Sequence, residues 1–289
     1  MDINLKNIDF RQMEEADISG AMQLVLAENW NQTKEDWQMF QELNSNLCLV
    51  ATYNGTIIGT VTAINFKDQV AWIGMMLVSK NFRGMGISKY LLKTIIDKLE
   101  GCRTIKLDAT AAGIPVYRKL GFQEDFEINR MVTTNFIGDT KGENINTVKP
   151  ISLGDMEEIL KFDINIFGTD RSDLINSLIN RTVDNAWCIV RDERIVGYAL
   201  GRPGLNFFQL GPLIAETPVD AINLMEVILE QFVGQPLVID VLHDQVELKT
   251  RLACLGFSYQ RSFIRMYLKE NLYAGCVNKQ FLIAGPELG

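Results

Sequence analysis

Histidine is nearly absent from this 289-residue chain, which carries only His243. A single imidazole excludes a zinc site built on several histidines, and a Ser-His-Asp triad would depend wholly on this residue, with no nucleophile elbow near it. We interpret His243 as a surface or strand-end residue. The five cysteines are scattered, odd in number and without CxxC spacing, so the sequence predicts reduced thiols, no disulfide framework and no metal site.

Basic charge and long apolar runs are also scarce. The 28 Lys and Arg residues are outnumbered by 36 Asp and Glu, and the net charge of −8 argues against nucleic-acid binding and mildly favours cationic partners. No apolar run approaches the length of a membrane span, and the start lacks the pattern of a leader peptide. We therefore expect a cytoplasmic protein without a membrane contact, long enough for two domains and of undetermined oligomeric state.

A glycine loop is the most informative feature that is present. Residues 83–88 read Arg-Gly-Met-Gly-Ile-Ser and lie between an apolar run and a segment of helical periodicity that begins at Ile87. At such a junction the first helical amides are unpaired and the helix dipole is positive, so an anion should bind there. Gly84 and Gly86 permit positive φ and close approach of phosphate oxygens. The alternative is a tight turn that binds nothing.

A second motif follows the loop about thirty residues later. Residues 104–108 form a short strand candidate, and a helix is predicted from Thr110 to Leu120, with Tyr117 on it and Gly121-Phe122 at its end. A glycine directly after the last turn is the expected helix stop. Strand, Arg-Gly-x-Gly loop, helix, strand and tyrosine-bearing helix in this order resemble the GNAT superfamily of acyl-CoA-dependent N-acetyltransferases.

The resemblance implies a binding site for acetyl-CoA, which would serve as the acyl-donor cosubstrate. Its pyrophosphate would lie on the loop amides, and its pantetheine arm would pair with the preceding strand like an added strand. Family members often have Asn seven positions before the tyrosine, where this chain has Thr, which weakens that one contact. The implied cofactor-binding residues are Met76, Leu77, Val78, Arg83, Gly84, Met85, Gly86, Ile87, Ser88 and Thr110.

The resemblance also implies a catalytic role for Tyr117. A phenol keeps its proton at neutral pH and can protonate the leaving thiolate; the alternative is a tyrosine that only packs its ring at a helix end. Family members often use a Glu near the centre of the sheet as a base, but the strand at 71–78 has none. Asp108 is a possible base or substrate contact, or else a cap or turn residue.

The second half of the chain repeats the first. A shift of 135 positions places residues 120–122, Leu-Gly-Phe, on the same three residues at 255–257, and residues 75–78 fall on 210–213 without a gap. Polar, turn-prone residues between Gly138 and Pro150 predict a boundary there. We expect a catalytic, acetyl-CoA-binding domain at 1–138 and a degenerate GNAT-like domain at 139–289.

The same shift shows what the second copy has lost. Proline lacks an N–H, and a β-branched residue at a glycine position prevents close approach, so we expect no anion site there and no catalytic acid. The second domain is then an acceptor-binding wall, a lid, or both. From the first copy to the second, the replacements are Arg83 to Pro218, Gly84 to Val219, Gly86 to Ala221 and Tyr117 to Leu252.

The second half carries its own polar cluster. Its Phe-Gly-Thr-Asp-Arg stretch resembles one found in the C-terminal domains of a GNAT subgroup with this tandem layout. One hypothesis is that Asp163 and Asp170 bind the acceptor's amine and that Arg171 or Arg202 binds a carboxylate across an interdomain cleft. The other is a helix N-cap aspartate beside a solvated arginine.

We therefore predict an α/β protein of two tandem GNAT-fold domains, each a mixed, mostly antiparallel sheet flanked by helices. The function predicted is N-acetyl transfer from acetyl-CoA to an amine of a small-molecule acceptor, by direct attack in a ternary complex. The alternative is an acetyl-CoA-binding sensor or assembly protein without transfer activity. For Trp30 and Trp37, both cleft lining and packing stay open.

Overall fold

The structure is a computed structural model that describes residues 7–138, 148–242 and 244–289. Most of the predicted domain boundary and His243 lie outside the described residues. The strands are β1 (Asp9–Gln12), β2 (Cys48–Tyr53), β3 (Thr56–Phe66), β4 (Val70–Val78), β5 (Thr104–Ala109), β6 (Gln123–Thr133), β7 (Val148–Pro150), β8 (Ala186–Arg191), β9 (Arg194–Arg202), β10 (Phe208–Ala215), β11 (Leu237–Leu242), β12 (Ser258–Lys269) and β13 (Gln280–Leu282). The helices are α1 (Ile18–Ala27), α2 (Lys34–Asn44), α3 (Ile87–Lys98), α4 (Ile114–Lys119), α5 (Met156–Phe167), α6 (Ser172–Arg181), α7 (Pro218–Leu229) and α8 (Val246–Cys254).

All thirteen of these strands join one mixed sheet. Its order is β1-β2-β3-β4-β5-β12-β6-β11-β13-β10-β9-β8-β7. The pairs β4–β5 and β10–β11 are parallel, and the other recorded pairs are antiparallel. The same arrangement therefore occurs twice, facing inward from the two ends of the sheet, which confirms the predicted tandem α/β fold.

The two halves exchange strands at the centre of the sheet. Strand β12, from the end of the chain, pairs with β5 through residues 264–269 and with β6 on its other side. Strand β6 in turn pairs with β11 over six residues. Each half thus completes its sheet with hydrogen bonds to the other. The domain division at residue 138 remains a proposal from the sequence, because the two halves share one sheet.

Strands β4 and β5 separate after a short parallel pairing. Their register joins residues 70–72 to 104–106, and beyond Gly74 the two strands diverge. Met75 has a φ of 50°, in the left-handed region, and the pairing of β4 with β3 shifts register at the same place. This bulge opens a V-shaped gap in the sheet, where backbone groups of β4 face a cleft instead of a neighbouring strand.

The equivalent gap in the second half is filled by the chain itself. Strands β10 and β11 pair at 208–210 with 237–239 and then diverge at Gly211. Strand β13 enters the gap, pairing antiparallel with both β10 and β11. The fit is close, because a Cβ at Gly211 would lie 2.1 Å from the carbonyl oxygen of Ile283.

Apolar packing also joins the halves. One core cluster includes Trp37 and Phe40 from α2, together with Phe167 and Leu174 from α5 and α6. Burial of such side chains supplies most of the stabilisation of an interface of this kind. Along the described ranges, none of the helices combines the length and the apolar character needed to span a bilayer.

One helix is shorter than its pattern predicts. The segment predicted to be helical from Thr110 becomes helical only at Ile114, and residues 110–113 form a turn. Pro115 stands in the first turn of α4, where its missing N–H costs nothing, whereas farther inside a helix it would remove a hydrogen bond. The later start leaves Thr110 free to face the cleft.

Candidate functional site

The glycine loop forms the predicted nest of amides. Gly84 and Gly86 have φ values of 80° and 85°, and Gly86 is the N-cap of α3. Among the described residues, no backbone or side-chain acceptor takes a hydrogen bond from the amides of residues 84–88. A Cβ at Gly84 would meet nothing within 4 Å, so the loop faces open space. Unpaired amides at the positive end of a helix favour a bound anion.

Arg83 is fixed at the rim of the nest. Its Nε donates to the carbonyl of Val78 at 3.1 Å, and its guanidinium is 2.5 Å from the carboxylate of Glu28. Lys80 approaches the same carboxylate at 3.8 Å. Because Lys80 and Arg83 are more than half exposed, their ion pairs with Glu28 contribute little stability. Both cations therefore remain available to a more strongly charged ligand.

An elongated cleft runs from the nest along β4 to α4. Of the sequence-predicted cofactor residues, Met85 alone is missing from its lining, because the Met85 side chain packs against the core under α3. The cleft is lined by Glu28, Trp30, Met76, Leu77, Val78, Phe82, Arg83, Gly84, Gly86, Ile87, Ser88, Leu92, Thr110, Ala112, Gly113, Val116, Tyr117 and Arg261.

A second pocket continues from the inner end of this cleft into the V-shaped gap. The two share Trp30, Met76, Thr110, Tyr117 and Arg261, so their junction lies beside the tyrosine. The remaining lining residues of this inner pocket are Gln32, Ile73, Gly74, Met75, Leu107, Asp108, Arg130, Phe263, Pro286 and Glu287. Residues from both halves of the chain therefore enclose it.

Tyr117 stands at the junction with its ring held on two sides. The ring packs edge-on against Phe122, with centroids 5.8 Å apart. A Cβ at Gly113 would lie 2.7 Å from Tyr117 Cε2, so only glycine gives the ring its place. Burial raises the pKa of Tyr117 to about 12, which keeps the phenol protonated at neutral pH.

Asp108 lines the inner pocket, but its carboxylate is engaged. The guanidinium of Arg265 on β12 binds it through two hydrogen bonds of 2.9 and 3.0 Å, and the same guanidinium lies over the ring of Trp72. Burial raises the pKa of Asp108, while Arg265 opposes that shift. Asp108 is therefore neither a cap nor a turn residue. Its ion pair with Arg265 joins β5 to β12.

Glu287 is a site residue that the sequence reasoning missed. It is 4% exposed and lies against Gly74, where β4 bulges away from β5. The backbone around it is held by Trp72, whose Nε1 donates to the carbonyl of Pro286 at 3.1 Å. Burial raises the pKa of its carboxyl group. No local pattern marks this residue, since its place depends on a contact 214 positions apart along the chain.

Arg202 holds Glu287 rather than facing the pocket. Its Nη2 is 2.6 Å from Glu287 Oε1, and its Nε is 3.2 Å from Asp36 Oδ1. Its Nη1 donates to the carbonyl of Ala284. Arg202 therefore connects α2 to the segment that carries Glu287, and it reaches the pocket only through that carboxylate.

Asp163 and Arg171 bind each other away from both pockets. The guanidinium nitrogens of Arg171 are 2.9 to 3.3 Å from the carboxylate of Asp163, and both side chains are buried. Tyr198 donates to the same carboxylate at 2.5 Å, and Arg171 also donates to the carbonyl of Gly289. Asp170 accepts from the amide of Ser172, two residues on, at 2.9 Å, while the N-cap of α6 is Arg171.

The loop after β9 positions Trp30 over the cleft. Asn31 accepts hydrogen bonds from the amides of Asn206 and Phe207 and donates to the carbonyl of Phe207. Gly204 permits this contact, because a Cβ there would lie 2.1 Å from the Asn31 amide. Trp37, in contrast, is fully buried in the shared core.

Among the described residues, the positions of the second copy equivalent to the nest and to Tyr117 provide neither amides for an anion nor a catalytic acid. Its helix α7 is capped by Thr217, whose hydroxyl accepts from the amide of Asp220 at 3.1 Å, and Pro218 supplies no N–H. Leu252 is fully buried in the core. The described residues contain no group of three or more His, Cys, Asp or Glu side chains that could hold a metal ion.

Comparisons with known proteins agree with this geometry. A model of the acetyltransferase (GNAT) family matches residues 14–122, and a model of an acetyltransferase (GNAT) domain matches residues 159–281. Holothin acyltransferase from Pseudoalteromonas sp. (strain SANK 73390) is 26% identical over 267 residues, which cover 91% of this chain and 88% of that protein. The uncharacterized N-acetyltransferase YitH of Bacillus subtilis (strain 168) is 23% identical, with 85% and 86% covered.

Solved structures share the fold. An acetyltransferase candidate from Pyrococcus horikoshii superposes with a TM-score of 0.82 at 20% identity, covering all of this chain and 98% of that one. A tandem GNAT protein from the clavulanic acid biosynthesis pathway superposes with a TM-score of 0.61 at 11% identity, covering 91% and 98%. With a GNAT domain matched in each half, an amide nest in the first and a sheet order repeated in the second, the chain belongs to the GNAT superfamily of acetyltransferases.

Proposed function

We propose that the chain is an N-acetyltransferase that moves an acetyl group from acetyl-CoA to an amine of a small-molecule acceptor. The observation that carries the proposal is the junction of two pockets at Tyr117. The outer cleft begins at unpaired amides suited to a pyrophosphate, and the inner pocket is enclosed by both halves of the chain. A sensor of acetyl-CoA needs the first of these but not the second.

The residues along the outer cleft suit the parts of acetyl-CoA in turn. The amides of residues 84–88 would bind the pyrophosphate, with Arg83 at the rim. The divergence of β4 from β5 leaves the backbone of residues 76–78 facing the cleft, where an extended pantetheine arm can pair with it. Thr110 would line the thioester end of the cleft.

The reaction proposed is direct attack in a ternary complex. The amine nitrogen bonds to the thioester carbon, the carbon–sulfur bond then breaks, and the sulfur takes the proton of the Tyr117 phenol. The amine gives up one proton to solvent, from which the phenolate is reprotonated, so that the products are an amide and CoA thiol. Because the pockets meet, binding alone can align the two reactants.

The proposal is tested by incubating the protein with acetyl-CoA and panels of amino acids, polyamines, aminoglycosides and peptides. Mass spectrometry reads acetylated product, and calorimetry reads acetyl-CoA affinity in parallel. Transfer to at least one small amine supports the proposal. Tight acetyl-CoA binding with no product across the panel would instead favour a sensor, and absence of binding would remove both readings.

A further inference from the structure

The inner pocket contains two buried polar atoms that the protein leaves unsatisfied. Within the described part of the chain, neither Gln32 Oε1 nor Arg261 Nε has a hydrogen-bond partner. Gln32 is 6% exposed. A buried donor or acceptor without a partner costs about 1–3 kcal/mol, so each such atom in a folded protein calls for a structural or functional explanation. One atom is an acceptor and the other is a donor on a cation.

The other charged groups of the pocket are paired. Asp108 is bound by Arg265, Arg130 by Asp240 at 2.7 Å, and Glu287 by Arg202. Arg261 differs, because its recorded contact is with the ring of Phe263, 5.0 Å from its guanidinium carbon. Burial and the nearby charge of Arg130 lower the pKa of Arg261, and the carboxylate of Asp240 opposes that shift only in part.

The inner end of the pocket is rich in acceptors. Gln32 and Glu287 line the same pocket, and the Gln32 side chain opposes the rise in the pKa of the Glu287 carboxyl group, so that the free Gln32 oxygen and the Glu287 carboxylate belong to one group. A neutral amine offers two N–H donors to this group and keeps its lone pair for the thioester carbon. Arg261 also lines the outer cleft, so an anion bound to it lies near the junction at Tyr117.

We propose that the acceptor carries a carboxylate as well as its amine, with Arg261 binding the carboxylate and Gln32 and Glu287 receiving the amine. This inference rests on the proposed function and narrows its substrate to amino acids and similar amino-carboxylates. The planar guanidinium suits a carboxylate because it can donate two parallel hydrogen bonds. Glu287 would be a positioning residue for the nitrogen.

The test compares acceptors that differ only in the carboxylate. L-phenylalanine is paired with 2-phenylethylamine, L-leucine with 3-methylbutylamine, and L-lysine with cadaverine. Binding is measured first by calorimetry in the presence of CoA, which requires no turnover, and acetylation is measured next. We expect at least one amino acid to bind roughly 10- to 100-fold more tightly than its decarboxylated partner, as loss of a charge-assisted pair predicts.

Three variants at two positions locate the effect. Arg261→Gln should abolish the preference by weakening amino-acid binding, while Arg261→Lys should restore part of it through charge alone. Gln32→Leu should weaken both members of each pair, because both carry the amine. Arg103→Gln is the matched control, since Arg103 is exposed and belongs to neither lining, and it should leave all constants unchanged.

The outcomes separate this inference from the proposed function. Acetylation of the decarboxylated amines as readily as the amino acids would overturn the inference and leave the acetyltransferase assignment intact. Binding of amino acids in an Arg261-dependent way without any acetylated product would support the inference and count against the assignment. If no amino acid of the panel binds, or if Arg261→Gln reduces affinity for CoA instead, the inference is wrong.

Discussion

Glu287 packs against Gly74 so closely that a Cβ at position 74 would lie 2.8 Å from both the Cα and the Cβ of Glu287. The contact joins the bulge of β4, beside the proposed thioester position, to a segment at the far end of the sequence. The inner pocket, which we propose binds the acceptor, is therefore completed by residues that come from the second half.

Gly74→Ala should damage both stability and the inner pocket. The added methyl group must displace backbone, and overpacking of this kind costs about 1–3 kcal/mol of the free energy of unfolding. Urea denaturation measures the loss, and acceptor affinity should fall with it. Gly101→Ala is the control, because a Cβ there meets nothing within 4 Å and its φ is not positive. Equal stability of the two variants would contradict the packing described.

Gly84→Ala should weaken binding of CoA. The φ of 80° strains any side chain, and the methyl group would stand in the open space where phosphate oxygens approach. We expect a loss of about 1–3 kcal/mol of binding free energy by calorimetry, the scale of charge-assisted hydrogen bonds. Gly256→Ala shares the positive φ of 87° and the open surroundings but lies in the second half. It should lose stability without losing affinity.

Tyr117→Phe should lower turnover while leaving CoA affinity nearly intact. General acid catalysis contributes about a hundredfold or more to rate, and the phenyl ring preserves the packing against Phe122. Steady-state kinetics and calorimetry measure the two quantities separately. Tyr259→Phe provides the control, because that side chain is 59% exposed. Unchanged turnover in Tyr117→Phe would remove the acid role.

The rate should not decline as pH passes 10. An ordinary tyrosine loses its proton near that value, but burial raises the pKa of Tyr117 to about 12. The sign follows from the proton: the folded protein retains it above pH 10, where an unfolded chain loses it, so the acid stays available. The measurement is kcat against pH with saturating acetyl-CoA. A fall with a midpoint near 10 would show that the phenol is not desolvated.

Asp163→Asn should destabilise the fold without acting through substrate. It leaves the buried guanidinium of Arg171 without its counter-ion, and breaking a buried pair costs about 3–5 kcal/mol. Thermal or urea unfolding measures the loss. Asp173→Asn breaks the exposed pair with Lys67 and should cost about 0–1 kcal/mol. A variant of Asp163 with native stability but a raised KM would restore the substrate hypothesis.

Local signals were sufficient for the nest and for the tandem fold. Positive φ at Gly84 and Gly86 and the helix start at Ile87 follow from the order of glycines and apolar residues within a few positions. The family comparison confirms the tandem GNAT prediction, because each model matches one half. The predicted start of α4 at Thr110 was wrong for an equally local reason, because Pro115 fits only the first turn of a helix.

Long-range pairing could not be predicted from the same patterns. An alternating strand such as β12 carries no mark of which neighbours it will choose, and here it lies between β5 and β6. The position of Glu287 could not be predicted for the same reason, because nothing in the neighbouring residues indicates a contact with Gly74. The sequence left open whether Arg171 binds substrate or is solvated beside a helix cap, and neither alternative included the buried ion pair that it forms with Asp163.

Residues 280–283 fill the gap between β10 and β11 in the second half. A few positions later the same segment places Glu287 in the gap between β4 and β5 in the first half. If β13 left the gap between β10 and β11, the segment that carries Glu287 would leave the inner pocket as well. We therefore expect one acetyl-CoA to bind per chain. The second copy no longer offers a site of its own, and the first copy depends on it for part of its pocket.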